Sequence, residues 1–234
     1  MGHDLGHTPF GHAGEFALDD ILLKNFGVRF HHNLQSLRVV EIIEKSGRGL
    51  NLCAEILDGI KCHPTEEDWP KTLEGKIVRI SDRFAYLRHD IEDAIDAKVL
   101  KKEDLPKKYM DILGEKILDT LVSDIIEQSY DKPDIKMSPK VQDAMDRLYD
   151  FMYENVYTNP DAKFEEVKVP YLLQQLFRHY HYNTNFQKGI PESEQLQHTI
   201  DFIAGMTDRF ATNKFEELFV PNEWKDTHDS ASRN

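Results

Sequence analysis

Cysteine is nearly absent from this sequence: Cys53 and Cys62 are the only two among 234 residues, and they form no CxxC pair. A reducing compartment, the cytoplasm, is the simplest home for such a chain. Both thiols are read as small core residues rather than metal ligands. No apolar run approaches the roughly 18 residues a membrane-spanning helix needs, so no membrane partner is expected. The opening Met-Gly-His-Asp lacks the basic-then-apolar order of a signal peptide, and Gly6 stands where a myristoylation signal has Ser or Thr. Positive charge is also short. Lys and Arg number 29 against 42 Asp and Glu, for a net charge of −13, which argues against nucleic acid as the main partner because that grip is supplied by Lys and Arg on phosphates. Small polyphosphates stay open, since one bound divalent cation and a few placed arginines reverse the sign locally. Repeats, low-complexity tracts and Gly/Ser linkers are missing, and alternating strand-like patterns are scarce.

What is present is helical periodicity. With 40% hydrophobic and 30% charged residues, the chain has the composition of an ordinary globular protein and the length for one substantial core. Ile77, Ile80, Phe84, Leu87 and Ile91 are spaced 3, 4, 3 and 4, which predicts one buried face of a helix from about Thr72 to Ala97. Further helices are expected near 12–24, 33–46, 51–62, 111–129, 138–157, 163–182 and 192–212, with breaks at Gly47-Arg48-Gly49 and at Pro64, Pro70, Pro106, Pro133, Pro160 and Pro191. The expected fold class is all-α with no substantial sheet. The polar end, 223–234, reads as a disordered tail.

Five of the eleven histidines fall within the first 32 residues. His3 and Asp4 are neighbours whose imidazole and carboxylate can both reach one cation, a donor set that suits Mn, Fe, Co, Ni or Zn, or Mg with water filling most positions. Thr8-Pro9 reads as an N-cap followed by proline at the first helical position. The helix so begun carries His12 and Glu15 at i and i+3, and a carboxylate beside an imidazole fixes its tautomer as a general base requires. On the helix around residue 82, Arg79, Asp82, Arg83, Tyr86 and Asp90 lie away from the apolar stripe. A solvated, ion-paired face is the plain reading of such a stripe. Tyr86 in its middle favours a site instead, with Asp82 completing the metal sphere and Arg83 or Arg79 pairing with phosphate oxygens. His63 is read as a satisfied buried histidine.

Taken together, the blocks His3-Asp4-Leu5-Gly6-His7-Thr8-Pro9-Phe10-Gly11-His12-Ala13-Gly14-Glu15, His32-Asn33-Leu34-Gln35-Ser36-Leu37-Arg38, Gly49-Leu50-Asn51-Leu52, Val78-Arg79-Ile80-Ser81-Asp82-Arg83-Phe84-Ala85-Tyr86 and Phe202-Ile203-Ala204-Gly205-Met206-Thr207-Asp208-Arg209-Phe210 resemble the HD superfamily, specifically the dGTP triphosphohydrolases. The resemblance spans roughly 3–220 and is most specific in its first block. It implies an HD-domain helical bundle with additional C-terminal helices, divided as a catalytic core over 1–128 and a helical portion over 129–222 packed on it. It implies His3, Asp4 and Asp82 as metal ligands, His12 and Glu15 as the pair that activates water, His7 and His32 along the phosphates, and Arg83, Tyr86 and Asp90 against the substrate. The implied activity is metal-dependent hydrolysis of a deoxynucleoside triphosphate to deoxynucleoside and triphosphate, by a homo-oligomer. Relatives carry a further metal-binding His and an Arg upstream of the His-Asp pair, so the chain is expected to be N-terminally incomplete, and weak or inactive as it stands even where its full-length parent is an enzyme. A different HD phosphohydrolase, such as a nucleotidase or phosphodiesterase, and a non-catalytic nucleotide-binding subunit are the alternatives.

Overall fold

Helices occupy most of the chain because apolar residues recur at helical spacing between turn residues, and the computed structural model shows where each starts and stops. It describes residues 2–65, 67–157, 159 and 164–221, so the tail expected at 223–234 lies outside the described residues. In chain order the helices are α1 (Gly11–Phe26), α2 (His32–Arg38), α3 (Glu44–Gly47), α4 (Ala54–Lys61), α5 (Leu73–Asp96), α6 (Lys107–Leu113), α7 (Ile117–Ser129), α8 (Pro139–Met152), α9 (Val169–Tyr182), α10 (Glu192–Ala204) and α11 (Asp208–Phe219). No strand occurs among the described residues. No helix among them is long and apolar enough to cross a membrane.

Local chemistry sets the boundaries. The Thr72 hydroxyl accepts from the Gly75 N–H at 3.1 Å and starts α5, Ser138 does the same for α8 ahead of Pro139, and Thr207 for α11. The single helix expected over 111–129 is two, because Gly114 takes φ 73° and ends α6. That over 192–212 is also two, divided where Thr207 caps a new start. The segment 33–46 passes from α2 into a π turn at Val39–Ile43, and Lys45 and Ser46 adopt left-handed φ.

Two apolar cores result. One joins α1 to α9, α10 and α11 through Leu18, Leu22, Leu173, Leu176, Ile203 and Ala211. The other joins α5 to α6, α7 and α8 through Phe84, Leu87, Leu113, Leu121, Leu148 and Met152. Each core thus draws on chain from both sides of residue 128. The α5 stripe is buried from Ile80 onward, but Ile77 is 47% exposed, since this core reaches the helix only from Ile80. Cys62 is buried as expected; Cys53 is not a core residue but an exposed one at the start of α4.

A polar tie holds α2 against α10. Asp201 accepts from Arg38 Nε at 2.7 Å and Nη2 at 2.7 Å, from Gln35 Nε2 at 2.9 Å and from Gln197 Nε2 at 2.9 Å. Burial opposes the charge on Asp201, but the Arg38 and Gln35 hydrogen bonds outweigh it and lower its pKa. Removing the carboxylate leaves Arg38 without its bidentate partner, so Asp201→Asn is expected to destabilise the fold by about 2 kcal/mol at neutral pH. A carboxyl whose pKa is depressed by folding stabilises above its unfolded value and loses that contribution as pH falls through the folded value. The melting-temperature gap between wild type and Asp201→Asn should therefore be full at pH 7 and close below about pH 4. A gap that persists undiminished at pH 2 would show that the charge is not its source.

Candidate active site and metal centre

The site is assembled where residues 3–8 lie against α2. Gly6 makes this possible: a Cβ there would stand 2.2 Å from Ser36 N and 2.4 Å from the carbonyl carbon of Gln35. With that clearance, Gly6 N–H donates to Ser36 Oγ at 2.9 Å, and Ser36 Oγ donates to the carbonyl of His3 at 2.5 Å. Gly14 has the same duty one turn into α1, where a Cβ would stand 1.9 Å from Pro9 O. The start of α1 differs from expectation. Thr8 is not its N-cap; Phe10 and Gly11 both take left-handed φ, 67° and 56°, which pushes the helix start to Gly11. The strained Phe10 peptide is held by its N–H donating to Asp208 at 2.8 Å, so the Thr207-Asp208 pair serves both α11 and the site segment.

His3, Asp4 and Asp82 converge although 79 residues separate the first from the last. His3 Nε2 lies 2.8 Å from Asp4 Oδ2 and 3.2 Å from Asp82 Oδ1. Hydrogen bonds with Asp4 and then Asp82 raise the His3 imidazole to about 9, against desolvation. Burial works against the charge on Asp4, but His3 and His63 hold its carboxyl far below the ordinary range. Two carboxylates around one imidazole nitrogen call for positive charge at their centre, supplied by a proton or, in its place, by a metal ion drawing on the same donors. Nδ1 of His3 and Nδ1 of His7 are buried with no hydrogen-bond partner in the protein, a costly state that a cation on Nε2 of His3 does not relieve. The donors themselves, two carboxylates around one imidazole, with His3, Asp4 and His63 offering ligand atoms within 4.8 Å of one another, fit a divalent cation.

Beside this group runs a line of imidazoles. His12 Nδ1 stands 3.3 Å from Glu15 Oε2, and Glu15 Oε1 accepts from the N–H of His32 at 2.9 Å and from His32 Nδ1 at 2.8 Å. Burial penalises the Glu15 charge, but the His12 and His32 hydrogen bonds keep it ionised, well below the usual carboxylate range. His7 stacks on His32 at 4.8 Å between ring centroids, and desolvation first, then the neighbouring His32, lowers its pKa. His7, His12 and Glu15 also lie close enough to share an ion.

On α5, Asp82, Tyr86 and Asp90 follow at i, i+4 and i+8 and share a strip. The Tyr86 ring lies 6.1 Å from His12, and Tyr157, from the π turn after α8, lies 6.1 Å beyond it with its hydroxyl donating to Asp90. Arg79 and Arg83 do not join them. A helix turns about 100° per residue, so Arg83 projects well around the axis from Asp82. Arg83 pairs with Asp146 at 3.1 Å and lies over the Tyr149 ring. Arg79 is 5% exposed; its guanidinium donates to the carbonyls of Cys62, Thr65, Glu67 and Asp68 and packs on Trp69. It clasps the 62–69 loop.

That loop delivers a residue the sequence reading set aside. His63 is indeed buried, but its Nε2 lies 3.0 Å from His32 Nε2 and 3.6 Å from Asp4 Oδ1, inside the site. It has no partner at helical spacing that would have flagged it. Tyr157 carried no signal either, for its partners are on α5.

The HD domain profile matches residues 2–87, which carry His3, Asp4, His12, Glu15, His32 and Asp82, and the phosphohydrolase-associated domain profile matches 135–217. A deoxyguanosinetriphosphate triphosphohydrolase-like protein of Caldanaerobacter subterraneus subsp. tengcongensis is 45% identical over 234 residues, covering 96% of this chain and 67% of the relative. The chain belongs to the deoxyguanosinetriphosphate triphosphohydrolase-like family. Relatives so named from Clostridium perfringens strain 13 and Clostridium tetani are 38% and 39% identical, each over 94% of this chain and over 68% and 67% of the relative. For a triphosphohydrolase-like HD phosphohydrolase, the second matched segment has a structural meaning: it supplies Tyr149, Tyr157 and Asp201, which brace α5 and α2.

Proposed function

We propose that this chain hydrolyses deoxynucleoside triphosphates, dGTP-like, to the deoxynucleoside and intact triphosphate, as a cytoplasmic homo-oligomer dependent on a divalent cation (Mn, Mg, Fe, Co, Ni or Zn). The supporting observation is that His3, Asp4 and Asp82 meet within hydrogen-bond distance, directly beside the His12–Glu15–His32 line. His3, Asp4 and Asp82 would hold the cation, which when bound polarises a phosphoryl oxygen and lowers the pKa of water.

The chain's own groups do the rest. Glu15, ionised, accepts from Nδ1 of His12, so the ring works through Nε2 as the base that takes a proton from water. The water oxygen bonds to the α-phosphorus as its proton passes to His12, the bond from that phosphorus to the 5′ oxygen breaks, and the 5′ oxygen takes up a proton from solvent, so the deoxynucleoside leaves as its alcohol. His32 and His7 line the phosphates. Tyr86 and Asp90, braced by Tyr157, face the sugar. Arg83 would have to leave Asp146 to reach a phosphate; Arg79 acts by holding the loop.

Incubating the chain with each dNTP and Mn and separating the products by anion exchange tests this reading. Triphosphate with deoxynucleoside is expected; release of pyrophosphate or single phosphates would reject it and favour another HD phosphohydrolase. Within the reading, His12→Ala should lower kcat by about 10²–10⁴-fold, the usual worth of a positioned base, while nucleotide affinity stays within a few-fold by equilibrium binding.

A further inference from the structure

The function proposed above gives Phe16 no task, yet its ring is 72% exposed on the face of α1 that carries His12. A lone aromatic on a surface is ordinary; what sets this one apart is its place. Four residues along a helix advance about 6 Å and turn only about 40° past a full circle. Phe16 therefore follows His12 on one face, a turn further from the segment that bears His3 and Asp4. Its ring lies 6.3 Å from that of His12, and the Tyr86 ring on α5 lies 6.1 Å from the same imidazole. The next residues, Ala17 and Leu18, take the core contacts of this turn, so packing does not explain the ring. The carboxylates of α1 are engaged: Glu15 with His12 and His32, Asp19 with Arg29 and the Phe30 N–H, Asp20 with Lys24. Phe16 thus offers a flat apolar face beside the site, with the acids of its own helix committed elsewhere.

We propose that Phe16 is the platform on which the nucleobase of the substrate stacks, so that the chain accepts every deoxynucleoside triphosphate and favours purines over pyrimidines. The inference rests on the proposed function for two placements, the α-phosphorus at His12 and the sugar at Tyr86. In a deoxynucleotide the base leaves the sugar at C1′, remote from the 5′ phosphate, and so lies one sugar length beyond the reacting phosphorus. The step of about 6 Å from His12 to Phe16 matches that length, and a base there reaches the Phe16 ring while its sugar meets Tyr86. Every base has a π face, so stacking on an aromatic ring binds all four, whereas hydrogen bonds to the base edge are what separate them. With Glu15, Asp19 and Asp20 engaged, α1 supplies the first and not the second. The larger purine face overlaps the ring more, which sets the order within that tolerance. A stack formed on binding and kept through the reaction stabilises bound substrate and transition state alike, so it is expressed in KM and not in kcat.

The test is calorimetric titration of the 234-residue chain, with calcium as the divalent cation to hold back turnover. The probes are dGTP, dATP, dCTP, dTTP and, as the ligand without a base, inorganic triphosphate. Phe16→Ala should weaken the two purine nucleotides by about 5- to 150-fold, the worth of one stacked base, and the pyrimidines by less, while inorganic triphosphate binds as in wild type. Phe16→Trp should restore the affinity; Phe16→Leu, equally apolar but without a π face, should not. Because the residue is exposed, thermal unfolding of all three variants should match wild type. Unchanged purine affinity in Phe16→Ala overturns the proposal. So does a loss shared equally by inorganic triphosphate, full affinity in Phe16→Leu, or a wild type that binds none or only one of the four nucleotides. Product identity plays no part in these titrations, so release of pyrophosphate would reject the proposed hydrolysis and leave the assignment of Phe16 standing.

Discussion

Asp82→Ala is expected to abolish the cation position beside His3 and to lower turnover by about three powers of ten or more. A Lewis acid at a phosphoryl centre contributes several kcal/mol, and each 1.4 kcal/mol or so is a factor of ten in rate. The reasoning starts from placement. Asp82 projects from the middle of α5, a helix fixed on its other side by Phe84 and Leu87, both under 3% exposed. Truncating a side chain that is itself 37% exposed leaves that packing untouched. What it removes is one of the two oxygens around His3 Nε2. Calorimetric titration with Mn should show the loss of that site, thermal unfolding should change little, and Asp82→Asn, which keeps the shape and drops the charge, should behave like the alanine variant. Intact turnover in either variant would mean that Asp82 is no ligand.

The fold was legible wherever one periodic stripe coincided with one helix. Residues Ile80, Phe84, Leu87 and Ile91 predict α5 with its Thr72 cap, and the structure places the helix at Leu73–Asp96. Legibility failed where a turn lies hidden inside a continuing stripe. Gly114 between α6 and α7, and the Gly205-Met206-Thr207 step between α10 and α11, divide stretches whose apolar spacing reads as unbroken. At Thr8-Pro9 the sequence has a good local start signal, but a tertiary contact wins: Asp208, remote in the chain, takes the Phe10 N–H and supports a left-handed residue that no local rule anticipates.

The site divides along the same line. His12 and Glu15 are three residues apart on one helix, so their pairing follows from helical geometry. The contact between His3 and Asp82 was reachable by the chemistry of the donors and by resemblance, and the structure supplies the distance. The two arginines part from the Asp82–Tyr86–Asp90 strip because a shared polar flank of α5 spans more of the circumference than one site can face; Arg83 turns to Asp146 and Arg79 to the loop. His63 was illegible for a different reason. Its partners, His32 and Asp4, are brought to it by the packing of α4 on α2 and α5, and nothing in residues 60–66 distinguishes a histidine that faces a core from one that faces a site.

Glu15→Gln separates positioning from binding most sharply. The substitution is isosteric and keeps one oxygen. His32 presents two donors to Glu15 Oε1, its backbone N–H at 2.9 Å and Nδ1 at 2.8 Å, so the amide oxygen must stay there and the NH2 group must turn to His12. That group donates, which forces His12 Nδ1 to accept and moves the ring hydrogen to Nε2. A His12 ring with hydrogen on Nε2 cannot take a proton from water through that atom. The consequence is a wrong tautomer in an undisturbed geometry, and kcat should fall by about 10²–10⁴-fold, the range for a lost general base, with KM within a few-fold. On the proposed reading the phosphates would meet His7, His32 and the cation, none of which the substitution displaces, so affinity has no reason to follow. Steady-state kinetics on the best dNTP, together with nitrogen-15 shifts of the His12 ring, read the two halves of the argument separately. If kcat holds while the ring shows hydrogen on Nε2, His12 is not the base; if KM rises by the same factor as kcat falls, Glu15 acts on binding instead.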